Sequence, residues 1–148
     1  MLNALLHTQA DWAGLILRLV LALVIFPHGA QKLLGWFGGY GFTGTMQYFT
    51  KTVGLPAPVA LLGIMAESAG PIALVMGLGT RLAAVLIAAV MIGAIWKVHR
   101  STGFFMNWGG QHKAGQEGYE YHLLVIAIAA ALLVTGGGTF SIDGLLAR

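Results

Sequence analysis

Two charges stand where the chain can least accommodate them. Arg18 lies inside the apolar run Trp12 to Leu34, and Glu67 lies inside the apolar run Pro58 to Leu78. Near the centre of a bilayer a charge costs about 2.5–3.5 kcal/mol on insertion scales, so each is a functional candidate by default. At 1.5 Å per residue, Arg18 is expected roughly 9 Å below one membrane face and Glu67 roughly 13 Å below the other. A long arginine can bridge the remaining gap across a core about 30 Å thick, so a buried Arg18–Glu67 ion pair is expected. The blander alternatives are that such a pair only fixes helix register, or that Glu67 is protonated while Arg18 reaches back to the surface.

Further titratable groups gather toward one end of these runs. His28 and Lys32 are one helical turn apart behind Pro27 and share a face with Arg18, which makes a polar stripe descending toward Glu67. Glu67 itself belongs to a small-residue stripe, Ala60, Gly63, Glu67 and Gly70, and small residues let membrane helices approach closely, so this face is expected to point into protein. Pro71 withdraws the backbone donor that would meet the Glu67 carbonyl. Lys97, His99 and Arg100 close a third apolar run, and Glu117, Glu120, Tyr121 and His122 open a fourth, with His112 between them. Imidazoles can ligate metal or haem, yet no spacing matches H-E-x-x-H or an i, i+4 His pair, and no metal site is expected.

Positioning these groups is the task of a membrane bundle. Of 148 residues 57% are hydrophobic and 9% charged, against roughly 25% charged in an average soluble domain. Eight basic and five acidic side chains are too few to cover a water-facing surface. The fold class is all-α: an integral membrane four-helix bundle, one domain over 1–148, with spans at about 12–34, 58–78, 82–98 and 121–135 and two longer loops on one face. Asp11 is expected to cap the first span, Pro56 and Pro58 to open the second, and Gly79-Thr80-Arg81 to turn it into the third. The first segment lacks the amino-terminal positive charge of a signal peptide, has too long an apolar run, is interrupted by Arg18, and is read as retained.

Four spans place both termini on one face with the Gly79 to Arg81 turn and both longer loops on the other. The loop face carries Lys32, Lys51, Lys97, Arg100 and Lys113; the terminal face carries Arg81, Arg148 and the terminal amine. The positive-inside rule then puts the loops in the cytoplasm and both termini outside. The first loop, with Trp36, Phe37, Tyr40, Phe42, Tyr48 and Phe49 among its glycines, reads as an interfacial helix that Thr43 could cap, running through Val53. The second, Gly103-Phe-Phe-Met-Asn-Trp-Gly-Gly, suits a re-entrant or lid-like segment; an ordinary interface loop explains either equally simply.

Absences narrow the chemistry. With no cysteine, disulfides, thiolate metal sites, iron–sulfur clusters and thiol nucleophiles are excluded. There is no Walker A motif, no dinucleotide fingerprint and no nucleophile elbow. The net charge of +3 is spread along the chain, which gives no basis for nucleic-acid binding; the partner to expect is the lipid bilayer.

Arg18-Leu19, His28-Gly29-Ala30-Gln31-Lys32-Leu33, Glu67 in the second span, Gly79-Thr80-Arg81, Gly103-Phe104-Phe105, Gly118-Tyr119-Glu120-Tyr121 and Ser141-Ile142-Asp143 together resemble the DoxX family from about Gly14 to Leu145. The resemblance implies a small four-helix protein of the inner membrane, with a quinone-linked or redox-associated role as a partner of other redox proteins. On that reading quinone is the expected cofactor, ahead of haem. His28, Glu67 and Glu120 would supply protons, Lys32 or Arg18 would stabilise a developing anion, and Trp36, His99, Trp108 and His122 would line or cover the ligand. The electrons would come from a partner subunit or a soluble donor. Against it stands a non-catalytic reading: a membrane scaffold for a soluble partner, or a small-molecule transport protein assembled as a homo-oligomer through its small-residue faces.

Overall fold

The structure is a computed structural model that describes residues 6–110, 113 and 116–147. His112 and Arg148, counted above among the loop-face and terminal-face groups, lie outside the described residues. Among the described residues the secondary structure is helical with no strand. Four long helices form the body: α1 (Trp12–Leu34), then, after the short interfacial α2 (Gly41–Gln47), α3 (Ala57–Met76), α4 (Thr80–Ala94) and α5 (Glu120–Thr135), with a terminal turn α6 (Ile142–Leu146). Wider π-type turns extend α2 through Tyr48–Thr52 and α4 through Ile95–His99. Three of the helices are long and apolar enough to cross a membrane. At 16 residues, α5 spans about 24 Å, short of a core of about 30 Å.

The helix ends follow their local chemistry. Asp11 accepts the Gly14 amide at 2.6 Å and caps α1, as its side chain and position predict. Gly35 ends α1 in the left-handed conformation (φ 75°), the common glycine termination. Pro56 and Pro58 open α3. Thr43 does not cap the interfacial helix: α2 begins two residues earlier, at Gly41, with Tyr40 at its cap position and no side-chain cap. The left-handed backbone of Gly41 (φ 65°), costly for other residues, starts the turn before Thr43 is reached.

α1 packs on α3, α3 on α4, α4 on α5, and α5 back on α1, which closes a ring of four. Its interior holds Leu21, Ile25, Leu74, Ala84, Ile87, Met91, Val125, Ala129 and Leu132. The outer surface is also apolar, with Leu23 and Val134 more than 70% exposed. That inversion of the soluble pattern is what a lipid environment permits, since hydrocarbon solvates leucine as well as a core does.

α1 and α3 touch backbone to backbone. A methyl group at Gly29 would sit 2.0 Å from the Glu67 carbonyl oxygen, so only glycine, through its Cα hydrogens, can face that carbonyl. This is the carbonyl that Pro71 leaves without its helical donor. Ser68 Oγ donates to the Gly29 carbonyl at 3.3 Å on the same contact. The antiparallel register is thereby fixed with Gly29 level with Glu67.

Candidate functional site

That register overturns the expected Arg18–Glu67 pair. Arg18 is eleven residues from Gly29, about 16 Å along α1, and lies near the opposite end of the bundle from Glu67. Its guanidinium, 1% exposed, donates to the Leu74 and Val75 carbonyls at the end of α3 (2.9 and 2.6 Å) and to the Thr139 and Phe140 carbonyls before α6 (3.2 and 2.7 Å). The depth argument measured the two residues from opposite faces and had no means of knowing which residues meet. A planar donor fork suits two pairs of carbonyls, and a cation at a helix C-terminus is favoured by the helix dipole.

Glu67 pairs with Lys32 instead, Nζ to Oε2 at 2.8 Å, with the carboxylate almost fully enclosed. α1 delivers Lys32 one turn beyond the Gly29 contact, and α3 presents Glu67 buried; of the expected inward stripe Ala60 is also buried, Gly70 faces Ile87 of α4, and Gly63 instead opens outward, with only Phe49 within 4.0 Å of an added methyl group. His28, half-buried on the same side of α1, lies within electrostatic reach of both. Its ring is 5.9 Å from that of Tyr121, at the start of α5. Tyr121 is followed by His122, whose ring is 4.3 Å from that of His99 at the wide turn ending α4. His99 Nδ1 lies 2.7 Å from the Glu117 carbonyl; a carbonyl only accepts, so Nδ1 carries the proton and Nε2 is left as the acceptor of the neutral ring.

The sequence-predicted residues thus divide. His28, Lys32, Glu67, His99 and His122 converge at the loop end of the bundle interior, joined by Tyr121. In the sequence Tyr121 stands only among the titratable groups that open the fourth span; its place directly before His122 is the signal that could have found it. Arg18 braces the far end. Trp36 is exposed beside Phe37, outside the cluster. Glu120 turns to the second loop: its Oε1 accepts the Met106 amide at 2.9 Å and Trp108 Nε1 at 3.0 Å. Glu117 accepts the Asn107 amide at 2.7 Å. These two carboxylates fold residues 103–110 back onto the start of α5, while the Trp108 ring remains exposed.

Two buried polar atoms of the cluster have no partner among the described residues, Tyr121 Oη and His122 Nδ1, while Glu67 Oε2 is met by Lys32 Nζ at 2.8 Å, the length of a charge-assisted hydrogen bond; elsewhere Arg18 Nε and Thr80 Oγ1 are also left without a partner. Orphaned buried polar groups cost roughly 1–3 kcal/mol each and are uncommon in native interiors. Both of those in the cluster come from the first turn of α5, a hydroxyl and an imidazole nitrogen on adjacent residues. Among the described residues no group of three or more His, Asp or Glu is placed to hold a metal ion. The Gly29 contact also means that no slot separates α1 from α3 at the level of Glu67; the polar groups that gather there come from α1, α3, α5 and the end of α4.

A family model described as DoxX matches residues 13–100, from the start of α1 through the end of α4. A protein of Bacillus subtilis (strain 168) with the name "Putative oxidoreductase CatD" is 32% identical to this chain over 129 residues, covering 87% of the chain and 83% of that relative. No solved structure matches the chain.

Proposed function

The chain belongs to the DoxX family, and on that premise we propose that it is a quinone-linked, redox-associated membrane subunit whose ligand site is the cluster of His28, Lys32, Glu67, His99, Tyr121 and His122. The observation that carries this reading is the pair of orphaned polar atoms, Tyr121 Oη and His122 Nδ1, at the same end of the bundle as the buried Lys32–Glu67 ion pair. A quinone suits such a set, because its two ring oxygens need donors and acceptors while the rest of the molecule is apolar. The oxidoreductase name of the 32% identical relative supports the same class of chemistry.

Bound quinone supplies two-electron, two-proton redox chemistry. The residues of this chain do the rest. His28 and Glu67 hold and deliver protons. Lys32, with its ammonium already at the carboxylate, stabilises negative charge developing beside it. Tyr121 Oη and His122 Nδ1 orient the ligand, and His99 Nε2 accepts protons from the loop face. Glu120 and Glu117 position the second loop over the opening. The electrons come from a donor protein docked at the loop face.

The test is an absorption spectrum of the detergent-purified protein, followed by solvent extraction and mass spectrometry of the molecules that stay bound. Stoichiometric quinone is expected, reduced at least tenfold in His28→Ala and Glu67→Gln. A preparation free of quinone, or variants that keep it in full, would sink the proposal. In that case a scaffold for a soluble partner becomes the better reading, favoured by the exposed Phe105 and Trp108 of the second loop.

A further inference from the structure

On the outer side of the α3–α4 hairpin, away from the polar cluster, a cleft of about 210 Å³ runs down from the loop face. Phe49, Val53 and Leu55 of the interfacial segment close its upper end, Val59, Leu62 and Ala66 form one wall, and Ala89, Val90 and Ala94 the other. Gly63 and Gly93 lie in its floor. The cleft is larger than the roughly 150 Å³ apolar cavity that stays dry and takes up benzene. Water gains nothing there, and unfilled walls forfeit their dispersion contacts.

Two observations say what fills it. Glycine inside a helix costs about 1 kcal/mol relative to alanine, and a chain normally recovers that through a close approach of its own, as at Gly29. At Gly93 an added methyl group would meet nothing within 4 Å, and at Gly63 it would meet only Phe49 Cε2 at 4.0 Å. Among the described residues nothing uses the room that these two glycines leave. The second observation is Lys97, the one charged residue lining the cleft, exposed and without an ion pair among the described residues. It stands at the headgroup level, next to the exposed Trp96 whose ring Arg100 covers at 4.9 Å, as expected of interfacial aromatic and basic anchors.

We propose that this cleft is a binding site for an anionic phospholipid, with one acyl chain laid over Gly63 and Gly93 and the phosphate paired to Lys97. A second copy of this chain fits less well. A helix with its side chains is about 10–12 Å across, too broad for a cleft of this volume closed above by Phe49. A twofold contact through α4 would also bring two Lys97 ammonium groups together. An isoprenoid tail would suit the apolar walls but has no group for Lys97.

The experiment is native mass spectrometry of the full chain reconstituted in nanodiscs of equal phosphatidylglycerol and phosphatidylcholine. The wild type is expected to retain phosphatidylglycerol roughly fivefold over phosphatidylcholine, the preference that one basic residue near the surface can confer. Lys97→Gln should abolish the preference while lipid is still retained. Gly93→Leu should remove the retained lipid altogether, since the side chain enters open space and occupies it. Gly63→Leu serves the same purpose should Gly93→Leu fail to fold. Lys51→Gln, outside the cleft, should behave as wild type. Equal retention of the two lipids, a preference that survives Lys97→Gln, or a dimer that Gly93→Leu dissociates would each overturn the proposal. So would a lipoquinone displaced by Gly93→Leu but not by Glu67→Gln.

Discussion

Arg18 and Glu67 show how differently two intramembrane charges can be accommodated. Arg18 meets four backbone carbonyls from two segments, so it acts as a clasp between the end of α3 and the turn before α6. Phe140, one of the residues whose carbonyl it holds, has φ 56°, a left-handed conformation that costs a bulky residue energy unless its surroundings impose it. Replacement of Arg18 by methionine should therefore destabilise the bundle by about 3 kcal/mol or more, since hydrogen bonds to a charged donor contribute about 1.5–3 kcal/mol each and are not additive. Arg18→Lys should recover only part of this, because a single ammonium cannot reach both carbonyl pairs in the arginine's fork geometry. Thermal unfolding in detergent reads both; an Arg18→Met protein as stable as wild type would refute the clasp. Glu67 is the contrary case, buried and paired to a single cation, Lys32, at 2.8 Å. The sequence marked both residues as exceptional. It could not tell bracing from ligand binding, because that depends on which partners the fold brings.

At the scale of elements, helix ends are satisfied by residues remote in sequence. The start of α4 has no cap from its own neighbours; Asp143 in α6 accepts the Gly79 and Thr80 amides at 2.7 and 2.8 Å. Asp143 is 1% exposed. At the end of α5, Arg81 donates to the Leu133 and Val134 carbonyls and also to His7. Asp143→Ala would leave two amides unsatisfied and should cost about 2 kcal/mol, the upper range for loss of a cap. It should also raise hydrogen exchange at the first turn of α4 while leaving the loop-face cluster intact. Unchanged exchange at Gly79 and Thr80 would contradict this. Pattern and punctuation placed the starts of the four long helices to within two residues of where they stand, because an apolar run bounded by Asp11, Pro56 or Gly79 leaves few other places to begin; the third ends as regular α-helix at Ala94, four residues short of the expected 98, and continues to His99 as wider turns. The cap from Asp143 was not legible, since Ser141-Ile142-Asp143 looks like the opening of its own short helix, which it also is: Ser141 Oγ accepts the Gly144 amide.

For the whole molecule, orientation in the membrane governs which compartment the polar cluster communicates with. The excess of lysine and arginine on the loop face predicts that this face is cytoplasmic and that both ends of the chain are outside. The absence of cysteine makes the test direct. Gln9→Cys should react with a membrane-impermeant maleimide in intact cells, and Ser101→Cys should react only after lysis. The reverse pattern would invert the topology and open the cluster to the other compartment. The sequence by itself determined the class, the helices and the family, because those follow from composition, hydrophobic run length and the order of short motifs. Only the tertiary structure decided that Lys32 and not Arg18 meets Glu67, that Tyr121 joins His28 and His122, and that Glu120 serves the loop. Pairing across a bundle depends on register, and register was set by one backbone contact, Gly29 against Glu67, whose partner no local pattern names.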